Sequence, residues 1–471
     1  MAELIRNRKL SPVELVQSHL DRIEKINPKI NAYVEIDRHG AMAAARQAED
    51  ALSNNNSLGP LHGVPISIKS AIEVEGMRWE AGTKLRVGEI ASADAPLVSR
   101  LREAGAIILG TTNTPELLMA WETDNLLYGR TNNPWDLSCT AGGSSGGEAA
   151  AIACGCSAGG VGSDGGGSIR VPAHFCGICG LKPTPGRIPA TGHFPQSVGP
   201  FALLGVVGPM ARTVADLKVL LEVMQGPDIG DPGAAPVPIR WPEFNKASIA
   251  RNINPSRATK PRVGYFEDDG RTPVTPETRN AVNYAAEVLR SAGFEVEPFR
   301  PEGLEKAREL WWKFFGVAGG MLLGPMTKGY ESELSPILKQ FNRWVAAEPP
   351  HTAQSLLETW IERDLVRMQM FEQMKKFPVL LCPVAAVPAF RHGERQWQIE
   401  GKEVKYLDAW SYCEWFNLLG MPAVSVPVAL SPDGLPIGVQ LIAQPWQEEL
   451  VLSVAEVVEN ERGKKTWPPE L

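Results

Sequence analysis

Residues 142–170 read GGSSGGEAAAIACGCSAGGVGSDGGGSIR. Two glycine-rich turns, at 142–147 and 165–168, bracket a short apolar stretch of helical character at 149–154. Glycine weakens helices and strands, so glycines repeated beside serines mark backbone that must adopt positive φ or approach a ligand closely. A flexible Gly/Ser linker does not fit, because the intervening run is apolar and residues 169–171 resume apolar character. The stretch therefore reads as two backbone turns held by ordered elements.

Outward from this centre, helices and strands alternate, which predicts an α/β chain. Toward the N-terminus, Ser11-Pro12-Val13-Glu14 has the form of a capping box with Pro at the first helical position, and Val13, Val16, Leu20 and Ile23 follow at helical spacing. An alanine-rich helix over 37–52 precedes a buried strand over 63–69 that ends in Lys69. A helix over 96–104, a strand over 106–110 and a loop through Asn113, Asn132, Asn133 and Pro134 lead into the glycine turns. Beyond them lie an amphipathic helix over 213–224, a Pro- and Ala-rich surface excursion over 226–260, and a β-α-β unit at 262–266, 276–292 and 294–299. Residues 303–376 are expected to form a mainly helical insertion carrying Trp311, Trp312, Phe314, Phe315, Met321, Leu322, Leu323 and Trp344, most of them in the core and some lining a substrate pocket. A strand over 379–382 and a helix over 408–419 follow. A hairpin at 423–428 and 437–443, joined by Asp433-Gly434, and a helix from Trp446 complete the chain.

The 471 residues, 44% of them hydrophobic, can bury a large core as one domain over 1–471. A net charge of −7, with no basic run beyond Arg462, Lys464 and Lys465, leaves no footprint for nucleic acid or an acidic membrane surface. The N-terminus has no apolar signal core, and the longest apolar runs, 198–211 and 314–326, are too short to span a bilayer, so the expected location is the cytoplasm. Seven cysteines in such a chain are expected to stay reduced. Cys154, Cys156, Cys176 and Cys179 form a CxC and a CxxC, but cysteine beside Ala, Ile and Gly reads as a small buried hydrophobe, and no metal is expected.

Several chemistries compete for the glycine turns. Residues 160–165 fit GxGxxG, yet no Asp or Glu occurs from Gly165 to Ala215 to hold a ribose, and neither turn carries the Lys and Ser/Thr of a phosphate-binding loop. Residues 142–146 fit GxSxG, the serine elbow of a hydrolase, with His193, His351 and His392 as candidate bases. The third chemistry uses Lys69. A serine hydroxyl needs a base, and lysine serves only when neutral. Bringing its pKa from ~10.4 to near 7 corresponds to about 4 kcal/mol, which desolvation can supply. Between Ala141 and Ala211 only Glu148 and Asp164 are carboxylates, so few anions hold a proton on Lys69. Gly165, Gly166 and Gly167 would aim backbone N–H groups at an oxyanion forming beside Ser168.

The span from Gly142 through GLKPT at 180–184 resembles the signature of the amidase signature family. So do GVPISIK at 63–69, GRTNNPWD at 129–136, GPMAR at 208–212 and GMPAVSVPVALSPDGLPIGVQLIA at 420–443, so that the resemblance covers nearly the whole chain. FCGICGLKPT at 175–184 and PWQEEL at 445–450 are most similar to fatty acid amide hydrolases and related bacterial amidases. The resemblance implies an α/β/α layered single domain around a large mixed, mostly parallel sheet, and hydrolysis of a small-molecule amide without a cofactor. It implies Ser168 as nucleophile, Ser144 as bridging serine entered through a cis peptide from Gly143, and Lys69 as base. It further implies an oxyanion hole from the N–H groups of Gly165, Gly166, Gly167 and Ser168, with Ser145, Ser163, Asp164 and Arg170 supporting the site by hydrogen bonds. Two positions depart from the family. Ser70 stands where Asp or Glu is usual, which makes the field at Lys69 less anionic, and Gly165 replaces a side-chain residue, which predicts a looser oxyanion turn. Two further readings stay open: the glutamine-hydrolysing component of a tRNA-dependent amidotransferase, and a non-catalytic binding protein. A homodimer is also left open.

Overall fold

The computed structural model describes residues 1–54, 58–242, 260–461 and 467–471. The basic group Arg462, Lys464 and Lys465 and the part of the 226–260 excursion at 243–259 lie outside the described residues. The described part of that excursion, 226–242, contains turns and no helix or strand.

Eleven strands form one sheet. In spatial order they are Tyr33–Ile36, Ile107–Thr112, Pro65–Lys69, Gly159–Asp164, Val206–Ala211, Cys179–Lys182, Ala423–Leu430, Pro436–Ala443, Val379–Pro383, Val263–Tyr265 and Val296–Pro298. Alternate residues of a strand face opposite sides. Ile108, Leu381 and Leu441 accordingly pack in one core with helices Pro96–Glu103, Val214–Met224, Pro276–Ser291 and Glu448–Glu461. Their neighbours face the other way: Ile107 and Leu109 pack with helices Pro12–Ile30, Arg38–Ser53 and Gly146–Ala153, and Leu380 and Ile442 with helices Leu304–Trp312 and Ser411–Leu418. Both faces of the sheet are covered, as the layered α/β/α expectation requires.

The expected predominance of parallel strands needs correction. Strand Pro65–Lys69 is parallel to both its neighbours, and Val263–Tyr265 to both of its own, whereas the other six pairings are antiparallel. The cause is local. Parallel neighbours need a long crossover, but residues 183–205 hold only the short helix Pro200–Leu204. Strand Val206–Ala211 then inserts antiparallel between Gly159–Asp164 and Cys179–Lys182, and the late hairpin adds further antiparallel ladders.

Ser11 caps its helix by accepting from the N–H groups of Val13 and Glu14, while its hydroxyl donates to Glu49, so only half of a capping box forms. The β-α-β unit and the hairpin appear where expected. The glycines of strand Gly159–Asp164 serve close approach rather than a turn. A Cβ at Gly160 would lie 1.9 Å from Glu148 Oε1 and 2.3 Å from the Ser67 carbonyl oxygen. Residues 303–376 are mainly helical, with Trp311, Trp312, Phe314 and Leu323 buried, but Met321 and Leu322 face outward. No helix of the described residues is long and apolar enough to cross a membrane.

Candidate active site

Lys69 ends strand Pro65–Lys69 and is 0% exposed. Its Nζ donates to Ser144 Oγ at 2.6 Å and to Ser145 Oγ and Ser163 Oγ at 3.0 Å each. Burial pulls its pKa down to about 7, against the charges of Asp164 and Glu148, which pull upward. The Ser145 hydroxyl donates to the Ser163 carbonyl at 3.3 Å, so toward the lysine it acts as acceptor. A neutral amine keeps two N–H groups and one lone pair. Ser144 is the hydroxyl nearest Nζ, so it is the one placed to give that lone pair a proton when the amine is neutral. Glu148, buried on helix Gly146–Ala153, accepts from Ser67 Oγ at 2.6 Å and Thr112 Oγ1 at 2.7 Å, and burial raises its pKa to about 7.

The Gly143–Ser144 peptide is cis. The Ser145 N–H donates to the Ser168 carbonyl at 3.1 Å, which joins the two glycine turns. Asp164, at the end of its strand, organises the second turn. Its carboxylate accepts from the N–H groups of Gly167 at 2.7 Å and Ile169 at 3.1 Å, and from Arg170 Nε and Nη2 at 3.1 Å each. Burial alone would raise the Asp164 carboxyl, but the Arg170 guanidinium holds it well below the usual carboxylate range. Arg170, 0% exposed, also donates to Gln440 Oε1 at 2.9 Å, the Cys413 carbonyl at 3.1 Å and Asn417 Oδ1.

Two indoles hold the outer side of the turn. Trp311 Nε1 donates to the Gly165 carbonyl and Trp121 Nε1 to the Gly166 carbonyl, both at 2.8 Å. Because a trans peptide sets N–H opposite C=O, the Trp311 bond turns the Gly166 N–H to the other side. The looser turn expected from Gly165 is thereby overturned: the carbonyl is tied, and Phe315, stacked on Trp311 at 4.5 Å, would stand 3.0 Å from any Cβ at Gly165. The Gly167 N–H, committed to Asp164, is not available to an oxyanion.

Ser144, Ser163, Asp164, Gly165 and Ser168 line one cavity, otherwise walled largely by Leu118, Met119, Phe201, Val206, Val207 and Phe315. Lys69, Ser144, Ser145 and Ser163 are thus brought into contact, and Asp164 and Arg170 support the turn. Ser168 shares the cavity wall with Ser144, its Oγ making no hydrogen bond to another described residue. Among the candidate bases for a serine elbow, His351 bonds Ser355 and Lys313, and His392 faces the Leu137 carbonyl. Only His193 of the three reaches the cavity, and its Nδ1 faces the Pro195 carbonyl rather than a serine. Cys154, Cys156 and Cys176 belong to one core and Cys179 to the core on the opposite sheet face, and among the described residues no group of three His, Cys, Asp or Glu could hold a metal. Sequence reasoning missed Trp121, Asn417 and Gln440, and it named Trp311 as a core or pocket residue without its bond to the turn. Of these, Gln440 carries a signal, a polar residue inside the apolar strand Pro436–Ala443.

The family model described as Amidase matches residues 14–452. The chain belongs to the amidase family. This amidase is 34% identical over 473 residues to the indoleacetamide hydrolase of Bradyrhizobium diazoefficiens, covering 98% of this chain and 86% of that protein. It is 31% identical to a component of the glutamyl-tRNA(Gln) amidotransferase of Desulfatibacillum aliphaticivorans, covering 100% of this chain and 98% of that one. Its fold is similar to that of a bacterial aryl acylamidase of the amidase signature family, with a TM-score of 0.83 and 27% identity over 99% of this chain and 98% of the other. The amidase is accordingly an amide hydrolase, acting on the C–N bond.

Proposed function

We infer that this amidase works through Ser168, Ser144 and Lys69 and an acyl-enzyme. Ser168 Oγ attacks the amide carbonyl as its proton passes to Ser144 and the Ser144 proton passes to Lys69. The N–H groups of Gly165, Gly166 and Ser168 receive the oxyanion, while Gly167 anchors the turn to Asp164. Collapse of the tetrahedral intermediate breaks the C–N bond, and the proton returns along the same relay to the leaving nitrogen. Water then repeats the sequence on the ester, releasing the acid. The observation that carries this reading is a fully buried Lys69, with a pKa lowered to about 7, 2.6 Å from Ser144.

The apolar walls contributed by Leu118, Met119, Phe201, Val206, Val207 and Phe315 support a preference for apolar acyl or aryl amides. Likeness to the amidotransferase component keeps glutamine as the alternative substrate. Glutamine, however, brings an ammonium and a carboxylate. Among the described residues lining the cavity only Asp164 and His193 are ionisable, and Asp164 is taken by Arg170.

The test is labelling of the purified chain with a serine-reactive fluorophosphonate, read by intact mass and peptide mapping, and repeated on Lys69→Ala. One adduct on Ser168, formed at least ~100-fold more slowly in the variant, is expected. An adduct on Ser144, or none, refutes the relay.

A further inference from the structure

His193 has a part in this cavity that the relay does not use. The imidazole sits in the segment between strands Cys179–Lys182 and Val206–Ala211, tied to the residues after Lys69 by a bridge to Ile72 and by the Phe194 N–H on the Ala71 carbonyl. Its Nδ1 lies 2.8 Å from the Pro195 carbonyl oxygen. A carbonyl only accepts, so Nδ1 carries the proton. In a neutral imidazole Nε2 then holds a lone pair, and burial, with Lys69 nearby, lowers the pKa to about 4, well below neutrality. Nε2 is shielded from water and has no hydrogen-bond partner among the described residues.

A buried acceptor without a donor is uncommon and costly in a folded protein. His193 belongs to a cavity wall that is otherwise largely apolar, and it also borders a wider groove lined by Glu73, Trp79 and Thr191. His193 is therefore one of the residues that line both the serine cavity and the groove.

Resting on the Ser168 reading, we propose that His193 Nε2 is a substrate-recognition acceptor that takes a hydrogen bond from an N–H or O–H of the substrate, so that the preferred substrates are apolar amides carrying such a donor beside the apolar body. The inference concerns which amide is chosen, not how the bond breaks. A site built to hydrogen-bond a donor discriminates against the analogue that lacks it, because its own polar atom is then left unpaired.

The experiment uses matched amides: indole-3-acetamide against 1-benzothiophene-3-acetamide, 4-hydroxyphenylacetamide against phenylacetamide, and N-(2-hydroxyethyl)hexanamide against N-propylhexanamide. The wild-type protein is expected to favour the donor-bearing member of at least one pair by about tenfold in kcat/KM, with the difference in KM. His193→Phe brings that ratio close to one, and His193→Gln, which restores an acceptor, recovers part of it. No preference in any wild-type pair overturns the proposal without reference to a variant's folding. So does a His193→Phe protein that loses both members of a pair equally. Fluorophosphonate labelling runs alongside: a wild-type chain that turns over these amides without a label on Ser168 refutes the relay, while the pair ratios still decide the role of His193.

Discussion

At the scale of single residues, the proposed relay rests on one amine kept neutral. The pH dependence follows from Lys69. Its pKa near 7 lies far below the ~10.4 of an exposed lysine. Between those values the unfolded chain binds the extra proton and the folded chain does not, so stability rises with pH across that window and is lost as pH falls toward 7. Activity is expected to climb along a limb with its midpoint at about 7 in a profile of kcat/KM against pH. Because Glu148 pulls the Lys69 pKa upward, Glu148→Gln shifts that limb to lower pH; an unmoved or alkaline-shifted limb contradicts the assignment. Asp164→Asn gives a different signature, since it strands the buried Arg170 without its counter-ion. A loss of about 3 kcal/mol in urea denaturation is expected, with a fall in kcat as the Gly167 anchor weakens. The contact of Lys69 with Ser144, and the cavity wall that Ser144 shares with Ser168, agree with the residue types, the surrounding motifs and the scarcity of nearby carboxylates. Asn417, Gln440, Trp121 and the turn contact of Trp311 were not legible, because a side chain that serves a turn from a remote part of the chain leaves no local pattern.

At the scale of elements, helices were the readable part. Ser11, Asp37 and Thr213 all cap the helices they were expected to start. Strand Gly159–Asp164 was not readable, since its glycines suppress the β signal while meeting a packing demand that only the fold reveals. Gly160→Ala tests this. Its methyl group would collide with Glu148 and with the backbone of strand Pro65–Lys69, and a loss of ~1–3 kcal/mol, read as a lower urea midpoint, is expected. A neutral result would mean that the two strands can separate without cost. The antiparallel return of Val206–Ala211 was also illegible, because β-α alternation suggests parallel crossovers and says nothing about a strand inserted afterwards.

At the scale of the whole molecule, the sheet is what makes distant segments meet. Lys69 arrives on one strand, Ser163 and Asp164 on its neighbour, and Ser144 on the loop ahead of the helix packed against both. The layered α/β/α architecture was legible from alternating elements and family motifs; the enclosure of the cavity by Phe201 and Phe315, from two segments far apart in the chain, was not. That enclosure predicts that the chain without any partner hydrolyses phenylacetamide with a kcat/KM at least ~100-fold above that for glutamine, since burying glutamine's two charges unpaired is heavily disfavoured. The reverse order in a steady-state assay would support the amidotransferase reading.

The bond from Arg170 to Gln440 has a consequence for how the protein is born. Arg170 emerges from the ribosome well before its partners Cys413, Asn417 and Gln440, which follow it by 243, 247 and 270 residues. A nascent chain that already contains Lys69, Ser144 and Ser168 still lacks the clasp that shapes the oxyanion turn. On the proposed relay, a fragment ending before strand Pro436–Ala443 should carry every reacting group and remain silent toward a fluorophosphonate.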